Sequence, residues 1–100
     1  MFLYNVTHIV EDTVVDDWLL WMEKVHVPKI MATGKFITHK SWRIIDSPNE
    51  GSTYSNQFFF EELEQYVAYM ETFAPEFELE IKERFGENVL SFTSIMQDVL

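Results

Sequence analysis

Residues 2–10, FLYNVTHIV, alternate in polarity and are rich in β-formers, which predicts a first strand. From Val14 to about Val27 the period becomes helical. At about 100° per residue, Trp21, Val14, Val25, Trp18, Met22, Val15 and Leu19 share one apolar arc. Asp16, Asp17, Leu20, Glu23 and Lys24 fall largely outside it. Pro28 has no backbone N–H and disfavours helix at Val27, so the helix is expected to end or kink there. A short turn, PKIMAT, follows, and Gly34 suits the left-handed residue that stops it. Residues 35–46 predict a second strand, SPNEGS a turn and residues 53–60 a third strand, so these two strands form a hairpin. A second helix over 61–73 turns Leu63, Tyr66, Val67 and Met70 inward. Pro75 interrupts it, and Phe77, Ile81 and Phe85 continue the period to Gly86. Residues 88–97 predict the last strand.

The order β-α-β-β-α-β over residues 1–100 predicts one α+β domain of ferredoxin-like fold. Its four-stranded antiparallel sheet would carry both helices on one face, with spatial strand order four, one, three, two.

Alternation then divides the sheet into two faces. Judged by bulk, Tyr4, Val6, His8, Val10, Tyr54, Asn56, Phe58, Leu90, Phe92 and Met96 belong under the helices. That leaves Leu3, Asn5, Thr7, Ile9, Ser55, Gln57, Phe59, Val89, Ser91, Thr93 and Ile95 outside. This outer set is about half apolar, too greasy for a free surface and too polar for a dry core. It suits a partly wet interface between two sheets packed face to face. A homodimer is expected, with Asn5, Thr7, Ser55, Gln57 and Thr93 as its polar interface residues.

Composition narrows the partners. Seven basic residues stand against 17 acidic ones, a net charge of −10. Phosphate contacts need clustered Lys or Arg, so nucleic acid is not an expected partner, nor is an anionic membrane surface. No apolar run approaches the ~20 residues of a membrane span, and the N-terminus lacks a signal-peptide pattern. A cytoplasmic location is expected. The absence of cysteine removes thiol nucleophiles, thiolate metal sites and disulfides. Aromatic residues make up 16% of the chain, more than a small core needs, which leaves some for an interface or a pocket.

The segments YNVT (Tyr4–Thr7), WLLWM (Trp18–Met22), HVP (His26–Pro28), ATGKF (Ala32–Phe36), TYSNQF (Thr53–Phe58) and FGENVLSFTS (Phe85–Ser94) resemble a family of small bacterial proteins. That family is domain of unknown function number 4286. The resemblance spans nearly the whole chain. It extends to the dimeric α+β-barrel superfamily, in which two ferredoxin-like subunits pack sheet against sheet. It implies fold and dimer, and no reaction. Two positions depart from the family pattern. Asn56 stands where an apolar residue is usual, and Phe92 precedes Thr93 where Arg is usual. If that Arg serves an anionic ligand in the family, this chain either lacks the function or carries the charge elsewhere, such as on Arg43.

Histidine is the natural candidate for chemistry near neutral pH. His26 lies about 80° from Trp18 on the helical wheel, at the edge of the apolar arc. It is either a packed residue near the helix end or an acid/base and ligand partner opening into a pocket. Trp21 and Tyr54 are the candidate pocket walls. No histidine pair has the i, i+4 spacing of a zinc helix. His8 and His39 fall on strands separated by the third strand. No metal and no cofactor is therefore expected. The glutamates around the second helix form a solvated acidic face. Three functions fit: a non-catalytic dimeric module that binds a small molecule or a protein, a cofactor-independent enzyme on a small aromatic or keto substrate, and a structural subunit recruited through its acidic surface.

Overall fold

The computed structural model describes residues 1–100. Its strands are β1 (Phe2–Val10), β2 (Thr38–Ile44), β3 (Ser52–Phe60) and β4 (Val89–Gln97). They form one antiparallel sheet in the order β2-β3-β1-β4, the order expected of the ferredoxin-like fold. The helices are α1 (Val15–Trp21), α2 (Val27–Met31), α3 (Leu63–Thr72) and α4 (Ala74–Phe85).

The first helical segment does not stop at Pro28. A π-helical stretch, Met22–His26, joins α1 to α2. There the Val27 N–H reaches back to the Met22 carbonyl, five residues away instead of four. The wider turn accommodates Pro28, which has no N–H to give and whose ring would strike the fourth carbonyl back in a regular helix. Gly34 takes the expected positive φ, 73°.

The second helical segment starts with a capping box, in which the Glu62 side chain accepts from the backbone of Gln65 and Gln65 returns the bond. It breaks at Phe73. Pro75 then lies in the first turn of α4, where its missing N–H costs nothing.

The core falls into two clusters. One gathers Tyr4, Ile30, Phe36, Phe58, Phe60, Tyr69 and Phe77. The other gathers Val10, Trp18, Trp21, Met22, Ile81, Phe85 and Val89.

β4 carries the main correction to the sequence expectation. Its register sets Val10 opposite Val89, His8 opposite Ser91, Val6 opposite Thr93 and Tyr4 opposite Ile95. Paired residues share a face, so Val89, Ser91, Thr93 and Ile95 look toward the helices. Leu90, Phe92 and Met96 look outward, the reverse of what bulk suggested. Thr93 therefore does not belong to the outer face. The Glu11 N–H bond to the Asn88 carbonyl, 2.9 Å, fixes this register at the start of the strand.

The outer face has a greasy rim around a polar centre. One row across the sheet runs Trp42, Ser55, Thr7, Phe92. Trp42 and Phe92 at its ends are 53% and 58% exposed. The polar groups between close on one another. Ser55 Oγ donates to Asn5 Oδ1 (2.5 Å), Asn5 Nδ2 donates to Thr7 Oγ1 (3.1 Å) and Trp42 Nε1 donates to Gln57 Oε1 (3.0 Å).

Candidate functional site

Small residues on the inner face of β4 leave a space that the helices do not fill. Ser91 and Thr93 sit where the other strands offer aromatic or branched side chains. The result is a cavity of about 690 Å³ between the two core clusters, within the range that takes a small organic molecule. Tyr4, Phe58, Tyr69, Phe77, Ile30, Met22, Ile81 and Val89 form its apolar wall, and His8, His26, Ser91 and Thr93 its polar one. Glu78, Lys82 and Glu87 also border it.

His26 is 5% exposed, more deeply buried than an edge position on the wheel would allow. Its ring stacks on Trp21, centroids 4.8 Å apart and planes 21° from parallel. Phe77 meets it edge-on. Its Nδ1 is the one buried side-chain nitrogen or oxygen in the protein without a hydrogen-bond partner. A buried N–H left unpaired is costly, so the proton belongs on Nε2, the nitrogen that is not sealed in. Burial lowers the pKa of His26 to about 4. Glu80 opposes that shift and Lys29 adds to it. Lys29 and Glu80 are themselves ion-paired, tying α2 to α4 beside the ring.

His8 projects from β1 toward the same cavity. Its Nδ1 lies 2.8 Å from Ser91 Oγ, and its ring meets Trp18 edge-on at 4.6 Å. Burial, and then the proximity of His26, lower its pKa to about 3. Both imidazoles are thus neutral at physiological pH. Burial, followed for Tyr4 by Glu78 and for Tyr69 by Tyr4 and Glu78, raises the pKa of both phenols, so both are hydrogen-bond donors in the cavity wall.

Of the candidate wall residues, Trp21 supports His26 from behind and does not itself border the cavity. Tyr54 lies under the helices on β3 but packs against the second core cluster, away from the cavity. Tyr4, His8 and Tyr69 border it and were not expected to. Alternation marks Tyr4 and His8 only as core. The inward set expected of the second helix is corrected: Leu63 and Val67 are 48% exposed, and the helix packs instead through Tyr66, Tyr69, Met70 and Phe73, which recur at three- and four-residue steps. Asn56 is buried by its own partners, accepting from Ser41 Oγ at 2.5 Å and lying 3.1 Å from His39 Nε2. His39 is thereby tied to Asn56 on the β2 side of the sheet. No group of three or more His, Asp or Glu side chains is gathered closely enough to hold a metal ion. No helix is long and apolar enough to cross a membrane.

The sheet order and the helix-roofed cavity define a ferredoxin-like α+β protein. The chain belongs to the family described as a domain of unknown function (DUF4286), whose model matches residues 1–99. No curated protein matches it. Among solved structures it is similar to an ethyl tert-butyl ether d (EthD) family protein from Bacillus halodurans. Identity there is 14%, coverage 99% of this chain and 100% of the other, and TM-score 0.71. It is also similar to a dimeric ferredoxin-like protein from an uncultured marine organism, at 14% identity, 99% and 96% coverage and TM-score 0.67. A third is a monooxygenase of Streptomyces coelicolor in complex with the ligand nanaomycin D, at 14% identity, 99% and 89% coverage and TM-score 0.56. At such identities the likeness is one of fold.

Proposed function

We propose that the protein is a homodimeric binding module that takes a small, mostly apolar organic molecule into the cavity beneath its helices, without transforming it. The observation that carries this is His26, a buried polar residue with an unpaired ring in the wall of a ligand-sized space. A neutral imidazole with a free N–H, beside two protonated phenols, offers donors to an acceptor oxygen on the ligand. Dimerisation through the outer face is supported by its exposed Trp42, Leu90, Phe92 and Met96. The central Asn5, Thr7 and Ser55 are hydrogen-bonded among themselves and Gln57 accepts from Trp42, so covering them leaves few polar groups to be paired across the interface. A related fold from a marine organism is described as dimeric.

Native mass spectrometry of the protein purified from its own host tests this reading. Expected is a two-chain species with added small-molecule mass, and a two-chain species without it for His26→Ala. Bare mass for both would sink the binding role, and a monomer would sink the dimer.

The second reading is a cofactor-independent enzyme on a small aromatic or keto substrate, with His26 as acid/base. The monooxygenases among the similar folds favour it. The basicity of His26 does not. A general base works best with a pKa near the working pH, and a ring held near 4 is a weak one.

A further inference from the structure

On an unbroken helical wheel at about 100° per residue, Val25 falls about 20° from Trp18 and His26 about 80°. One turn further on, Lys29 falls about 20° from Trp18 and Ile30 about 120°. The structure shows the opposite burial in both pairs. Val25 is 43% exposed while His26 is 5% exposed, and Lys29 is exposed while Ile30 is buried. Each residue after the π stretch occupies the place that its predecessor would hold in a regular helix. One extra residue has been absorbed at Met22–His26, and its effect is to exchange Val25 for His26 in the buried arc.

That exchange is unfavourable for packing alone. A valine leaves the interior, and a histidine with an unpaired nitrogen enters it. Local sequence nevertheless selects it. In a regular helix the Pro28 ring would collide with the Lys24 carbonyl. The π turn, in which the Val27 N–H bonds the Met22 carbonyl, removes that collision.

We infer that Pro28 is the positioning residue that sets the register of this helix and so aims His26, rather than Val25, into the cavity. The purpose assigned to His26 rests on the binding role proposed above; the register claim does not.

The test is long-range ¹H–¹⁵N NMR of the histidine rings from pH 7.5 down to pH 4.5, without any ligand. The groups facing His26 are His8 from β1, Lys29 from its own helix and Glu80 from α4, and all are retained in the variants. In the parent protein His26 should stay neutral through pH 5. In Pro28→Ala the helix should relax to regular register, turning His26 outward. Its titration midpoint then rises by about 2 units toward the ordinary histidine value, and the Trp21–His26 cross-peaks vanish. Deleting Lys24 in the Pro28→Ala background removes the extra residue, so a regular helix now brings His26 back to the buried place. Low-pH titration and the Trp21 contact should both return. A loss of fold alone cannot mimic that rescue. Unchanged titration and contacts in Pro28→Ala would overturn the role of Pro28. Failure of the Lys24 deletion to restore the buried ring would overturn the register explanation. A bare dimer in the mass spectrum would end the binding role and leave this result untouched.

Discussion

Acidification to pH 5 should strip this protein of much of its stability through two side chains. His8 and His26 have pKa values near 3 and 4 in the folded state, against 6.5 when unfolded. Both shifts are downward. Above pH 6.5 neither state binds protons at these rings and the full stability is present. Between 6.5 and the folded values, the unfolded chain takes up protons that the folded chain refuses, so stability falls with pH. At pH 5 the gap to 6.5 is one and a half units per ring. At about 1.36 kcal/mol per unit, two rings give a loss of about 4 kcal/mol relative to pH 7.5. Small proteins have about 5–15 kcal/mol in all, so the effect is large. His39, also lowered by burial, shifts the balance in the same sense. The assay is urea unfolding followed by circular dichroism at pH 7.5, 6.5, 5.5 and 5.0. His26→Phe, which removes one titrating ring and its unpaired nitrogen, should retain about 2 kcal/mol more than the parent at pH 5 after normalising both at pH 7.5. A parent stability unchanged between pH 7.5 and 5.0 would refute the account of the cavity as two neutral buried imidazoles.

Three other outcomes follow from single features. Phe92→Glu places a charge on the outer rim and should convert the proposed dimer to monomer in size-exclusion chromatography; an unchanged dimer would move the interface elsewhere. Gly51→Ala should lower stability by about 2 kcal/mol or more in thermal unfolding. Gly51 has φ 79°, and an added Cβ would meet the Val10 carbonyl oxygen at 2.3 Å. Asn56→Leu should cost about 1 kcal/mol in chemical unfolding, because His39 and Ser41 lose the buried partner they share and keep only their bond to each other; a neutral result would mean that water replaces it.

The element order and the burial of Trp18, Trp21, Phe77, Ile81 and Phe85 are legible as periodicity, and the strand order follows from the fold that this element order suggests. The periods are local, and the hydrogen-bond ladder repeats them. The site was legible only in part. His26 could be named as a candidate, but its depth depends on one extra residue in a helical turn, which a fixed 100° wheel cannot register. Pro28 was the available signal. It was visible as a helix breaker, and the helix answered by widening. The faces of β4 depart from the sequence expectation for a different reason. Bulk marks the buried side of a strand only when one side is buried. Here Leu90, Phe92 and Met96 lie on a face suited to a partner, while Ser91 and Thr93 look inward and leave the cavity unfilled. With Thr93 assigned outward, the space could not be foreseen.

Alternation on β4 also means that the sequence encodes a rival. Sliding that strand by one residue against β1 would carry Leu90, Phe92 and Met96 beneath the helices and Ser91 and Thr93 to the surface. Such a chain would have its hollow plugged by its own phenylalanine and a milder outer face, a self-sufficient monomer with nowhere to put a guest. The Glu11–Asn88 bond holds the strand against that slide from one end. In the proposed assembly the second copy holds it from the other side, by giving the large side chains a reason to stay out. Emptiness inside and company outside would then be two descriptions of a single registry, and dilution to the free subunit should be the condition under which the hollow closes. Backbone amide exchange along β4, followed as the protein is diluted, would show that exchange of partners or its absence.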